Sequence, residues 1–146
     1  MKKITLAAVA LLIATAGNAA NPPEVAEKVL NAFKKTFYDP QEIKWYDNDN
    51  GYEVHFKCDN ILSKVWYDAE GNITSTHRYY GEYNLPPFIL GKIKKKYADK
   101  KVYGVTEITS DAGLNYYVTL EDSISWLTIK SDPLGYLEVY EKLKKL

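Results

Sequence analysis

The sequence matches itself when it is shifted by 64 residues without gaps. Pro22 and Pro23 align with Pro86 and Pro87, and later apolar residues align in the same phase. The further aligned pairs are Val25/Ile89, Val29/Ile93, Phe33/Tyr97, Tyr52/Tyr116, Val54/Val118, Phe56/Leu120, Val65/Ile129, Asp68/Asp132, Gly71/Gly135 and Ile73/Leu137. A single offset that preserves prolines, a turn glycine and the apolar phase indicates two copies of one supersecondary unit. We assign residues 20–83 to the first copy and residues 84–146 to the second.

Each copy is predicted to begin with an amphipathic helix. In the first copy, Asn21 is the expected cap, Pro22 suits the first turn, and Glu24 lies three residues after the cap. Apolar side chains then recur every four residues, which is the spacing of one helix face. They are Val25, Val29, Phe33 and Phe37 in the first copy and Ile89, Ile93 and Tyr97 in the second.

Alternating segments follow each predicted helix. The apolar phase contains Tyr52, Val54, Phe56 and Cys58 in the first copy and Tyr116, Val118 and Leu120 in the second. Period-two alternation with one apolar face is typical of half-buried antiparallel strands. We therefore predict an α+β fold in which two tandem helix-plus-antiparallel-meander repeats form one curved sheet with both helices on one face.

The segment DNDNG at residues 47–51 allows three interpretations: a calcium loop, an active-site turn or the bend of a hairpin. Asn50-Gly51 favours the hairpin, because both residue types tolerate a positive φ. A calcium loop needs six or more oxygen ligands in a fixed order, which this segment lacks. The alternative that we keep is a periplasmic small-ligand or calcium-responsive protein. Its weak site would combine Asp47 and Asp49 with the second acidic turn, at Asp68 and Glu70.

The N-terminus has the pattern of a secretory signal peptide at residues 1–19. Lys2 and Lys3 precede an apolar run at residues 4–16, and small residues lead up to Ala19. The run is shorter than the roughly 20 residues of a membrane-spanning helix. We expect cleavage after Ala19 and a periplasmic or secreted mature chain without a membrane span.

Charge and cysteine content exclude further classes of function. The chain has 19 basic and 19 acidic residues, and Arg78 is its only arginine. A nucleic-acid partner is not expected, because such binders use arginine forks and a basic field. Cys58 is the only cysteine, so the chain has no internal disulfide. Its phase with Val54 and Phe56 predicts a buried small hydrophobe.

No catalytic constellation is visible in the sequence. The two histidines, His55 and His77, have no metal-binding spacing and no surrounding Cys/His cluster. There is no GxSxG elbow and no glycine-rich phosphate loop. We therefore predict a protein that is not an enzyme and has no catalytic residues, no cofactor and no metal.

The aromatic residues supply the strongest functional signal, since the chain has 13 Tyr and 3 Trp. If Val65 and Ile129 face the helices, then Trp66 and Trp126 point away from them. Exposed Trp, Tyr and Arg dominate binding hot spots. We predict a protein-binding face, with Tyr140 beside it, that consists of Trp66, Trp126, Tyr117, Tyr136, Tyr80, Arg78 and His55. The pattern equally allows these rings to cover the sheet or to pack in a homodimer.

The order of these motifs resembles the PepSY-like proteins described as β-lactamase-inhibitor-like. The motifs are NPPEVAEKVLNAFKKTFYDPQEIKW, GYEVHF, VWYDAEGNITST, NLPPFILGKIKKKY, GLNYYVTL and DPLGYLEV, and they cover nearly the whole mature chain. The resemblance implies a periplasmic, non-enzymatic protein whose partner is an unidentified envelope protein or peptidase. PepSY domains are associated with peptidase propeptides and proposed peptidase inhibition, and the inhibitor to which they are likened grips its enzyme with a concave sheet face. This chain departs from the pattern where DPLG replaces the acidic turn of the first copy.

Overall fold

The computed structural model describes residues 23–146. The predicted signal peptide and the expected cap at Asn21 and Pro22 lie outside the described residues. The elements are α1 (Glu27–Thr36), β1 (Gln41–Asn48), β2 (Gly51–Cys58), β3 (Ile61–Asp68), β4 (Ile73–Tyr80), a 3-10 turn (Glu82–Asn84), α2 (Pro87–Lys96), β5 (Lys101–Ser110), β6 (Gly113–Glu121), β7 (Ser125–Ser131) and β8 (Leu137–Lys144).

All eight strands form one sheet in the order of the chain, and every neighbouring pair is antiparallel. β1 and β8 are the two edges of this open sheet. The predicted α+β class with a curved antiparallel sheet is therefore confirmed. One helix followed by four strands occurs twice along the chain, but the tandem duplication itself stays a prediction.

Both helices pack on the same face of the sheet, each over its own hydrophobic core. Val29 and Phe33 of α1 are buried among Val54, Phe56, Val65 and Tyr67. Ile89 and Ile93 of α2 are buried among Val105, Val118, Leu120, Leu127 and Ile129. The predicted four-residue spacing thus identified the buried stripe of each helix, because residues one turn apart share a face.

The first helix begins later than predicted. The carbonyl of Ala26 accepts hydrogen bonds from the N–H groups of Val29 and Leu30, at 3.0 and 3.1 Å, so the helix begins at Glu27. The carbonyl of Glu24 instead accepts a hydrogen bond of 3.5 Å from the Tyr52 hydroxyl. The expected capping role of Glu24 is therefore wrong, because this part of the chain packs as an extended segment against β2.

The DNDNG segment forms a hairpin, with a different turn from the one predicted. Asn48 pairs with Gly51, so the two turn residues are Asp49 and Asn50. Gly51 is needed for close packing, since a Cβ atom there would lie 1.9 Å from the carbonyl oxygen of Tyr67 on β3. The expected positive φ at Asn50 is not observed.

A hairpin turn with two positive φ angles lies between β2 and β3 instead. Asp59 and Asn60 have φ of 50° and 63°, the combination found in type I′ turns. Cys58, just before this turn, is half-buried, and its thiol donates to the carbonyl of Tyr38 at 3.4 Å. The prediction of full burial for Cys58 is therefore wrong, because it lies at the strand end, where the helix covers the sheet incompletely.

Candidate functional site

The face of the sheet opposite the helices is uncovered, and we call it the open face. Because side chains alternate along a strand, the buried Val54 and Val65 assign their neighbours to this face. His55 and Trp66 lie there as the alternation predicts, and so do Tyr117 and Trp126 in the second half of the sheet. These four side chains are half-buried by their neighbours on the open face.

Two of the predicted site residues, Arg78 and Tyr80, lie on the helix side instead. β4 pairs Tyr67 with Ile73 but Trp66 with Ser75, so one extra residue interrupts the register. A bulge of this kind reverses the parity of every following residue. His77 and Tyr79 therefore occupy the open face in place of Arg78 and Tyr80.

Arg78 and Tyr80 form part of a polar network on the helix side of the sheet, where Arg78 remains partly exposed. The Arg78 guanidinium donates to Glu107 at 3.0 Å, and the buried Tyr80 hydroxyl donates to the same carboxylate at 2.6 Å. Burial, followed by the contact with Glu107, raises the pKa of Tyr80 far above its usual value. The network links β4 to β5, so these two residues have a structural role across the middle of the sheet.

Tyr136 also lies away from the open face. It precedes β8, in the turn after β7, and its N–H donates to the Asp132 carboxylate at 2.9 Å. Its side chain is 70% exposed and lines an open depression of about 780 Å³ beside α2. The prediction that Tyr136 lies on the open face was wrong, because Tyr136 belongs to the turn and strand alternation applies only from Leu137 onward.

The first half of the open face carries a connected aromatic cluster. The rings of Tyr46 and His55 are 4.5 Å apart, and those of Trp66 and His77 are also 4.5 Å apart. Glu53 joins the two pairs, because it contacts His55 and accepts a hydrogen bond of 3.1 Å from the Trp66 indole. The indole is therefore held in one orientation by a carboxylate and by the tilted ring of His77.

The surroundings of His77 favour its uncharged form. Desolvation is the largest cause of a lowered pKa for His77, and the neighbouring Lys64 lowers it further, while Glu53 acts in the opposite direction. His77 is therefore uncharged at neutral pH. The Tyr79 hydroxyl lies 3.5 Å from Nδ1 of His77 and continues the cluster towards the centre of the sheet.

A second aromatic cluster covers the other half of the open face. The rings of Tyr117 and Tyr140 meet edge to face at 5.0 Å, and those of Tyr103 and Trp126 do so at 4.8 Å. The ammonium of Lys145 lies 4.2 Å from the Trp126 ring, a favourable cation–π distance. Tyr103 is exposed at a register shift in β5, which sequence alternation did not identify.

Small and aliphatic residues separate the two aromatic clusters. On β5, Thr106, Ile108 and Ser110 face this side of the sheet. Tyr79, Thr106 and Tyr117 lie in one row across three neighbouring strands. Strands are about 4.8 Å apart, so the backbones that carry the two tyrosines are about 10 Å apart. The result is a low strip with aromatic residues on both sides.

The four acidic residues of the ion-site alternative are not gathered at one point. Asp47 pairs with Tyr52 and Asp68 with Gly51, which assigns the two carboxylates to opposite faces. The Asp68 carboxylate accepts hydrogen bonds from the N–H groups of Glu70 and Asn72, at 2.9 and 2.8 Å. Hydrogen bonding, above all from the Asn72 side chain, lowers the pKa of Asp68. Across residues 23–146, no group of three or more His, Cys, Asp or Glu could hold a metal ion.

Solved structures share this fold at low sequence identity. A BLIP-like protein from Bacteroides fragilis NCTC 9343 is 21% identical, with a TM-score of 0.65 over 84% of this chain and 87% of that chain. A DUF2874 family protein from Bacteroides ovatus ATCC 8483 is 18% identical, with a TM-score of 0.64 over 84% of this chain and 89% of that one. A protein from Bacteroides eggerthii DSM 20697, assigned provisionally to the periplasm, is 16% identical, with a TM-score of 0.63 over 84% and 90%.

These similarities establish a BLIP-like fold over most of the described chain. No protein-family model and no curated protein sequence matches the chain. The PepSY-like assignment therefore stays a prediction, while its β-lactamase-inhibitor-like part agrees with the fold. Neither helix within residues 23–146 has the length and apolar character needed to cross a bilayer.

Proposed function

We propose that the chain is an exported, non-enzymatic module that binds an envelope protein through the open face of its sheet. Export is supported by the signal-like N-terminus and agrees with the provisional periplasmic assignment of one protein with the same fold. The BLIP-like fold supports protein binding as the class of activity. The finer assignment, inhibition or sensing of a peptidase, rests on the PepSY-like resemblance.

The observation that carries this proposal is the fixed orientation of Trp66. Its indole is hydrogen-bonded to Glu53 at 3.1 Å and packs against the tilted ring of His77 at 4.5 Å, yet the side chain remains partly exposed. An immobilised aromatic ring loses little conformational entropy when a partner covers it. Such rings are the usual anchors of protein interfaces.

The low strip between the two aromatic clusters of the open face suggests the shape of the partner's contact surface. A loop or turn of the partner would lie on the low strip of β5 and contact Tyr79 on one side and Tyr117 on the other. Both clusters would then contribute to one interface. Tyr140, which packs against Tyr117 and is 62% exposed, would extend the second side.

Affinity capture from envelope extract tests the proposal, with the processed protein as bait. We expect Trp66→Ala and Tyr117→Ala each to reduce capture of a specific protein by at least tenfold. Tyr38→Ala and Tyr83→Ala serve as matched controls, because these tyrosines are 92% and 93% exposed and lie outside the strands. Equal capture by all four variants would refute a site on the open face.

Sedimentation of the purified protein distinguishes the homodimer alternative. If the open face pairs two copies, the wild-type protein sediments as a dimer and Trp66→Ala converts it to a monomer. We expect a monomer in both cases. A dimer that depends on Trp66 would replace the proposed envelope partner by a second copy of the chain.

A further inference from the structure

The turn between β7 and β8 places apolar side chains in solvent on the helix side of the molecule. Leu134 and Tyr136 are 80% and 70% exposed, and Phe88 at the start of α2 is 59% exposed. The Phe88 ring lies beside Gly135, because a Cβ atom added to that glycine would be 2.8 Å from it. The three side chains therefore stand around one turn, which we call the apolar turn (residues 132–136).

The same turn geometry occurs between β3 and β4, at residues 68–72. In both turns the first residue is an aspartate whose carboxylate accepts from the N–H four residues later, at 2.8 Å for Asp68 and 2.9 Å for Asp132. In both, the glycine N–H donates to the aspartate carbonyl, at 3.2 Å for Gly71 and 3.0 Å for Gly135. The two turns can thus be compared position by position.

The two turns differ in the side chains that they expose. The first carries Glu70, which pairs with Lys28 on α1 at 3.5 Å. The second carries Leu134 at the same place, so the matching Lys92 instead donates to the Gly135 carbonyl at 3.0 Å and lies 4.4 Å from the Phe88 ring. The shared geometry requires neither Leu134 nor Tyr136, because the first turn has Glu70 and Asn72 there.

Positive charge surrounds the apolar turn. Lys92, Lys95 and Lys96 line the same depression of about 780 Å³ as Leu134 and Tyr136. Neither Lys95 nor Lys96 forms an ion pair within residues 23–146. The one carboxylate of the depression, that of Asp132, accepts a hydrogen bond from the backbone of its own turn. On α1 the positions that match these two lysines hold Asn31 and Ala32.

We propose that the apolar turn and the lysines of α2 dock the protein on an anionic phospholipid surface. Apolar side chains at a turn insert among headgroups, and lysines beside them contact lipid phosphates. The depression is open and shallow, which suits a lipid surface better than a peptide that needs an enclosed groove. This inference does not depend on the proposed protein partner.

The position of the patch leaves the open face accessible. α2 packs on the opposite side of the sheet, so docking through Lys95 and Lys96 directs Trp66 and Tyr117 away from the lipid. A molecule held in this way could bind a second protein while it stays at the membrane surface. The two surfaces can therefore be tested separately.

Vesicle co-sedimentation tests the lipid surface, with the processed protein recovered after export so that no signal peptide is present. We expect binding to phosphatidylglycerol vesicles, little binding to phosphatidylcholine vesicles, and weaker binding at high salt. Each lysine near an anionic surface contributes roughly a fivefold factor in affinity. The double variant Lys95→Gln/Lys96→Gln should therefore bind phosphatidylglycerol vesicles about 25-fold more weakly. Leu134→Glu with Tyr136→Asn, the residues of the first turn, should abolish binding.

Two controls match these variants. Glu70→Gln changes the corresponding turn, and Tyr83→Ser removes an exposed ring outside the patch; both should bind vesicles like the wild-type protein. Circular dichroism verifies the fold of every variant. If the Leu134→Glu/Tyr136→Asn variant fails to fold, the Lys95→Gln/Lys96→Gln variant on the helix surface still tests the proposal. Absence of binding to phosphatidylglycerol, equal binding to phosphatidylcholine, or binding of polyglutamate instead of vesicles would overturn the inference.

Discussion

Two buried tyrosines give a prediction in which the same substitution has opposite effects. Tyr67 is 2% exposed, and its hydroxyl has no hydrogen-bond partner within residues 23–146. The Tyr80 hydroxyl, in contrast, donates to the Glu107 carboxylate at 2.6 Å. Replacement by phenylalanine removes one oxygen atom in each case and keeps the ring.

The expected magnitudes follow from these contacts. A buried polar group without a partner costs about 1–3 kcal/mol, so Tyr67→Phe should raise the free energy of unfolding by about 1 kcal/mol or more. A hydrogen bond to a charged group contributes about 1.5–3 kcal/mol, so Tyr80→Phe should lower it by that amount. In a domain of about 125 residues, 1 kcal/mol changes Tm by about 4 °C.

Urea unfolding of the two variants at pH 7, followed by tryptophan fluorescence, measures both effects. Wild-type stability should also fall above pH 10, because burial raises the pKa of Tyr67 from 10.0 to about 12 in the folded state. The folded chain then holds a proton that the unfolded chain has lost, so this contribution is present below pH 10 and is lost as the pH rises towards 12. Tyr67→Phe should make this fall shallower.

One result would refute the reasoning. If Tyr67→Phe destabilises the protein as much as Tyr80→Phe does, the Tyr67 hydroxyl must have a partner such as a bound water molecule. The Tyr67 and Tyr80 hydroxyls would then both be hydrogen-bonded, and the expected opposite effects of the two substitutions would have no basis.

Further predictions concern two glycines and the acidic turns. Gly51→Ala should destabilise the protein by more than about 2 kcal/mol in urea unfolding, because the added Cβ atom would lie 1.9 Å from the Tyr67 carbonyl oxygen. Gly91→Ala should stabilise it by about 0.5–1 kcal/mol, since Gly91 is inside α2 and nothing lies within 4 Å of a Cβ atom there. Calcium should leave Tm unchanged in differential scanning calorimetry, because backbone N–H groups already occupy the Asp68 carboxylate; a rise that Asp68→Asn removes would support the ion-site alternative.

Local periodicity was sufficient to predict the core and the class of fold. Val29 and Phe33 were assigned to one helix face, and Val54 and Phe56 to one strand face; all four are buried. The prediction succeeded because a single apolar phase persists through each of these elements. The spacing of apolar residues is sufficient to predict which side chains are buried, provided that no bulge inserts or omits a residue within the element.

The errors in the candidate site arose where a β-bulge changes which residues of a strand face the helices. The bulge in β4 moves Arg78 and Tyr80 to the helix side and brings His77 and Tyr79 to the open face. A bulge depends on the register with the neighbouring strand, and the sequence of β4 does not contain that information. Tyr103, at the register shift of β5, was missed for the same reason.

Comparison of the two halves of the chain at the 64-residue offset distinguishes residues that the fold requires from residues that are specific to one half of the surface. Core positions carry similar residues at the 64-residue offset: Val54 matches Val118, and both are 0% exposed. On the open face, Trp66 matches Lys130 and Trp126 matches Leu62. The same kind of sheet therefore forms without tryptophan at either position. The fold therefore does not require these two aromatic rings, although each packs against neighbours on the open face, and this is the physical reason to test them as recognition residues.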